Sequence, residues 1–82
     1  MTLGERVLVL RHRLKLSQGS LGKATGIAPN TIARLERGEL QELSSSRIVA
    51  LARALQVSTD VVLGEKPLDS ELKPTAEALI GV

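Results

Sequence analysis

Gln18-Gly19-Ser20-Leu21-Gly22-Lys23-Ala24-Thr25-Gly26-Ile27-Ala28-Pro29-Asn30-Thr31-Ile32-Ala33-Arg34-Leu35-Glu36-Arg37 is the stretch on which the reading of this 82-residue chain turns. Two short helices that cross steeply need a small residue where their backbones come close. Gly22 meets that need, although glycine costs ~1 kcal/mol of helix propensity against alanine. The sharp turn between the helices needs a residue that accepts positive φ, and Gly26 does so without strain. Leu21, Ile27, Ile32 and Leu35 are placed to face inward and lock the angle. Proline is tolerated at a first helical position, so Pro29 opens the second of the two helices, and Gly38 ends it. Each signal is weak alone. Together, at these spacings, they form a two-helix unit.

Amphipathic helices bound the unit on both sides. Leu3, Val7, Leu10 and Leu14 recur at steps of four, three and four, one face of a helix. Ser17 is the N-cap of the next. Residues 39 to 43 read as a loop, and Ser44 is the favoured cap of a fourth helix whose inner stripe is Ile48, Leu51, Ala52 and Leu55. Ser58 caps a short fifth helix through Val61, Val62 and Leu63, closed by Gly64. No period-two strand pattern appears. The expectation is an all-α, five-helix domain over residues 1–64, followed by an acidic and apolar tail over 65–82. In that tail Pro67 and Pro74 preclude one long helix, and Pro74 is placed to open a turn or two.

Composition narrows the function. Eighty-two residues suit one domain. There is no Phe, Tyr or Trp, so the core must be aliphatic, and base stacking on aromatic rings, the usual device of single-strand binders, is absent. The chain has no cysteine, which removes disulfides, thiolate chemistry and cysteine-based zinc sites. Charge is uneven. Residues 1–64 carry nine Lys/Arg and five Asp/Glu, a balance of +4, and residues 65–82 carry two and four, a balance of −2. A basic body suits a phosphate-facing surface, though an ordinary solvated surface has a similar balance. No apolar run approaches the ~20 residues that span a bilayer, and Met1 to Glu5 lacks the features of a signal peptide. A cytoplasmic location without membrane attachment is expected.

Leu10-Arg11, Leu16-Ser17-Gln18, Gly26-Ile27, Ile32-Ala33-Arg34-Leu35-Glu36-Arg37-Gly38 and Ala52-Arg53-Ala54-Leu55 together make Leu3 to Leu63 resemble the phage repressor and Cro (XRE-like) family of helix-turn-helix domains. The resemblance covers about three quarters of the chain and stops before Glu65. It implies a lambda-repressor-like fold whose third helix, about residues 29–37, lies in the major groove of double-stranded DNA. By motif position Pro29, Asn30, Thr31 and Arg34 would meet the bases, with Asn30 suited to adenine and Arg34 to guanine or a phosphate. Gln18 matches a phosphate-contacting position at a helix N-terminus, where the dipole favours an anion. Ser17, Lys23, Arg37 and Arg47 are further candidates for backbone contact. The resemblance also implies an ion pair between Arg11 and Glu36, architectural rather than chemical. The chain departs from the family in three ways: Pro29 cannot hydrogen-bond a base, Glu39 and Glu42 place negative charge in a loop that often nears phosphate, and that loop is one residue longer.

Competing readings are blander. His12 is the single histidine, without partners for a metal. Glu36, Glu39 and Glu42 form no catalytic constellation, Ser44, Ser45 and Ser46 read as caps, and Gly19 and Gly22 lack the Gly-Lys-Ser/Thr of a phosphate loop. No enzyme, metal or cofactor is expected. Leu8 and Val9 are either scattered surface apolars or, with Leu14, a seat for Leu68, Leu72, Leu79 and Ile80 of the tail, in the same chain or a second one. The reading is a sequence-specific transcriptional regulator, a repressor acting as a homodimer on a two-fold-related site. The alternative is a protein-interaction module, such as an antitoxin neutralising a toxin partner, with DNA binding secondary.

Overall fold

Side-chain oxygens open four of the five helices in the structure, a computed structural model that describes residues 1–68. The helices are α1 (Leu3–Arg13), α2 (Gln18–Thr25), α3 (Pro29–Glu36), α4 (Ser45–Leu55) and α5 (Thr59–Leu63). Thr2 and Glu5 form a reciprocal capping box on α1, with Thr2 N donating to Glu5 Oε1 at 2.8 Å and Glu5 N donating to Thr2 Oγ1 at 3.0 Å. Ser17, Ser44 and Ser58 accept from the backbone N–H groups of Ser20, Arg47 and Val61. Only α3 starts without a side-chain cap, and there Pro29 supplies the preset φ instead.

Left-handed residues close the helices. Gly38 (φ 83°) and Gly64 (φ 85°) follow α3 and α5, while Lys15 (φ 58°) and Gln56 (φ 62°) play the same part after α1 and α4. At each, the next residue's N–H reaches five residues back. Leu16 N donates to Arg11 O at 3.1 Å, Glu39 N to Arg34 O at 2.9 Å, Val57 N to Ala52 O at 3.0 Å and Glu65 N to Asp60 O at 2.8 Å. This is the Schellman pattern, which satisfies orphan carbonyls. Leu14, on one face of the first helix with Leu3, Val7 and Leu10 by spacing, is the C-terminal cap of that helix and half-buried. The chain leaves the helix at Lys15 and turns Leu16 back against the core in its place.

The core is aliphatic. Among the described residues thirteen apolar side chains are buried, all between Val7 and Val62. Val7 and Leu10 of α1, Leu21 of α2, Ile32 and Leu35 of α3, and Leu51 of α4 are almost wholly enclosed. Helices α1 and α3 approach very closely, because a Cβ at Gly4 would overlap the Leu35 carbonyl oxygen. Leu8 and Val9 are half-buried. Leu68 packs against the core, and Arg13 Nη1 donates to the Leu68 carbonyl at 3.4 Å. The remaining tail expectations, on Leu72, Pro74, Leu79 and Ile80, lie outside the described residues. Among the described residues there is no strand, and no helix is long and apolar enough to cross a membrane.

Candidate nucleic-acid interface

The turn between α2 and α3 is built by three residues. Gly26 sits at φ 76° and donates its N–H to Gly22 O at 2.8 Å. Nothing lies within 4 Å of a Cβ built there, so backbone conformation and not space selects glycine. Thr25 Oγ1 donates to Leu21 O at 2.8 Å and accepts from Ile27 N at 3.2 Å, tying both limbs together. Gly22 has the opposite reason. A Cβ there would stand 2.7 Å from Ile27 O and 3.2 Å from Pro29 Cγ, so the start of α3 can rest on α2 only over a glycine.

Helix α3 then divides cleanly by face. Ile32 and Leu35 are buried, while Pro29, Asn30, Arg34 and Arg37 are exposed and Thr31 is half-buried. Lys23 is exposed in the last turn of α2. Ser17 is exposed at the start of α2, its Oγ accepting from Ser20 N at 2.9 Å. Arg47 is exposed in the first turn of α4.

A polar knot fixes α3 to α1 and α2. Arg11 Nε lies 2.8 Å from Glu36 Oε2 and Arg11 Nη2 2.9 Å from Oε1, a two-point fork with side chains only 9% and 5% exposed. Arg11 Nη1 also donates to Leu16 O at 2.8 Å. Burial pushes the Glu36 carboxyl up, but hydrogen bonds from Arg11 and Gln18, with the charges of Arg11 and His12, outweigh it and hold it below the ordinary carboxylate value. The same hydrogen bond raises the Arg11 guanidinium against the effect of its burial. Gln18 enters this knot directly, its Nε2 donating to Glu36 Oε1 at 2.9 Å. The residue singled out for an anion at the helix start is thus half-buried and joined to α3. The Glu36 bond uses one of its two amide hydrogens.

The second unforeseen contact is at the other end of α3. Glu39 Oε2 accepts from Arg37 Nε at 2.9 Å and its Oε1 from Arg37 Nη2 at 3.1 Å, with Arg34 Nε 3.8 Å from the same Oε1. Two of the cations on the exposed face therefore converge on one carboxylate. The spacing Arg34, Arg37, Glu39 was legible, but the pairing depends on the left-handed turn at Gly38, which folds Glu39 back over the last turn of α3.

The helix-turn-helix family model matches residues 9–62. The repressor protein C2 of Salmonella phage P22 is 39% identical over 61 residues, 74% of this chain and 28% of that protein. The HTH-type transcriptional regulator DicA of Escherichia coli K12 is 35% identical over 78 residues, 94% of this chain and 56% of that protein. The chain therefore spans between about a quarter and a little over half of these relatives. A crystal structure of the P22 c2 repressor in complex with synthetic operator 9T superposes with a TM-score of 0.73 at 35% identity, covering 80% of this chain and 98% of that one.

Proposed function

The chain belongs to the helix-turn-helix family, and on that premise we propose that it binds double-stranded DNA as a transcriptional repressor, with α3 in the major groove. The observation that carries this is the clean division of α3: Ile32 and Leu35 anchor it while Pro29, Asn30, Arg34 and Arg37 present a polar, cationic edge to solvent. That edge has the donors that base edges and phosphates require. Asn30 fits the paired donor and acceptor of adenine, and Arg34 fits the two acceptors of guanine. Pro29 and the Thr31 methyl offer apolar contact of the kind a thymine methyl takes.

Around this edge Ser17, Gln18, Lys23, Arg37 and Arg47 would take phosphates, which set register and orientation but carry no sequence. The second amide hydrogen of Gln18 would reach the backbone while the first holds Glu36. One domain of this size reads few base pairs, so the protein acts as a homodimer on a two-fold-related site. Repression follows from occupying the operator, and a cytoplasmic location follows from the target. The similarity is to repressors and a transcriptional regulator, so the toxin-neutralising alternative has no support of its own.

In-vitro selection of bound duplexes from a random pool is the test. Enrichment of an inverted repeat is expected. A folded protein that enriches no sequence over the starting pool would sink the reading.

A further inference from the structure

The cationic edge of α3 is partly neutralised from within the chain. Gly38 (φ 83°) turns the backbone so that Glu39 faces the C-terminal end of α3. The Glu39 carboxylate takes Arg37 at two points, 2.9 and 3.1 Å, and has Arg34 at 3.8 Å. All three side chains are about half exposed, at 56%, 48% and 51% for Arg37, Arg34 and Glu39, so the cluster sits on the open surface and not in the core. The guanidinium fork that grips a carboxylate at two points is the same fork that grips a phosphate. A duplex approaching α3 therefore meets an arginine whose Nε–Nη2 edge is already occupied.

From this, and resting on the DNA-binding reading above, we propose that Glu39 is an intramolecular competitor of DNA phosphate for Arg37, lowering duplex affinity and its dependence on salt. Its effect is on the backbone term, which is independent of sequence. Through Arg37 it therefore lowers loose binding to any duplex, while Asn30 and the more distantly paired Arg34 keep the base readout that decides where the protein settles. Electrostatic affinity for duplex DNA falls with salt in proportion to the number of phosphates neutralised, so releasing one arginine steepens that dependence by about one phosphate.

The test uses the full chain and a short fluorescent duplex of mixed sequence, titrated between about 50 and 200 mM salt. Glu39→Gln keeps the size and removes the charge. It is expected to bind about three- to tenfold more tightly at the low-salt end, with a slope steeper by about one phosphate. Arg37→Ala is expected to bind more weakly with a shallower slope, and most of the Glu39→Gln gain should vanish in the double variant. Thermal melts of each variant establish that the folds are equal. Unchanged or weaker binding by Glu39→Gln overturns the proposal, weaker binding meaning that Glu39 orients Arg37 for the duplex. So does a gain of full size without Arg37, which would make Glu39 a general field charge. If the parent chain binds and Glu39→Gln does not differ, only the role of Glu39 fails. If neither chain binds any duplex, the DNA-binding reading fails with it.

Discussion

A methyl group added at Gly4 would run into the backbone carbonyl of Leu35, whereas one added at Gly19 meets only Ser17 Oγ at 3.7 Å. Gly4→Ala is therefore expected to destabilise by ~2 kcal/mol or more as α1 is forced off α3. Gly19→Ala should be neutral or stabilising by ~0.5 kcal/mol, since alanine is the better helix former. Urea midpoints at neutral pH separate the two, and equal midpoints would disprove the close approach. The carboxylates contrast in the same way. Glu36 is enclosed with Arg11, and its removal leaves a buried guanidinium unpaired, so Glu36→Ala should lose ~3–5 kcal/mol. Glu39→Ala, at an exposed pair, should leave the midpoint unchanged. Because the fold holds Glu36 below its ordinary value, its contribution is full above the unfolded value of about 4.3 and is lost as pH falls through the lower folded value. Stability of the parent should thus decline more steeply below about pH 5 than that of Glu36→Gln. Parallel declines would show that the group is unperturbed. At the proposed interface, Arg34→Ala should lose ~1–3 kcal/mol of discrimination between selected and random duplex without unfolding. Band shifts beside circular dichroism decide it, and unchanged selectivity in a folded variant removes Arg34 from base readout.

Helix ends carry a lesson of their own. Glycine marks the stops at Gly26, Gly38 and Gly64 in the sequence, because it accepts a left-handed backbone. Nothing in the sequence marks a stop at Lys15 or Gln56, where the same conformation is imposed on ordinary side chains by the need to return Leu16 and Val57 to the core. An L-residue in that region is strained by ~1–2 kcal/mol. Part of this is offset by the greater chain entropy that glycine would have to lose. Lys15→Gly and Gln56→Gly should each therefore stabilise by ~0.5–1 kcal/mol. Thermal denaturation is the check, and a loss at either site would mean that the side chain makes a contact worth more than the strain. The hydroxyl starts at Ser17, Ser44 and Ser58 were legible because a cap is a local contact spanning three residues.

At the scale of the molecule, the buried core of the described residues ends at Val62, and Leu68 is a partly buried residue that packs against it. Removing residues 66–82 should leave the five-helix body folded. The hydrogen bond from Arg13 to the Leu68 carbonyl shows the chain returning toward α1 as the tail begins. Half-buried Leu8 and Val9 lie on that helix. A short amphipathic piece is not stable alone in water, and we propose that residues 66–82 contribute to dimer formation. Sedimentation of the truncated chain should then show weaker self-association with unchanged helicity. Dimerisation equal to that of the full chain would place the interface elsewhere, around Leu40, Leu43 and α5.

What the sequence by itself determined was whatever depends on near neighbours along the chain. The periodicity of Ile48, Leu51, Ala52 and Leu55, the serine caps, Pro29 at a helix start and Gly22 with Gly26 at a tight turn needed no knowledge of distant residues. They were enough to name five helices and the exposed face of the third. The Arg11–Glu36 pair, 25 residues apart in sequence, was expected through resemblance and not through spacing. Tertiary structure alone decided where the polar side chains went. Gln18 turned to Glu36, Glu39 took Arg37 and Arg34, and Gly4 became the contact point of α1 with α3. Each of these depends on how one helix lies against another or on the direction in which a turn leaves α3. A long flexible side chain has many partners within reach, and only the packed backbone selects one.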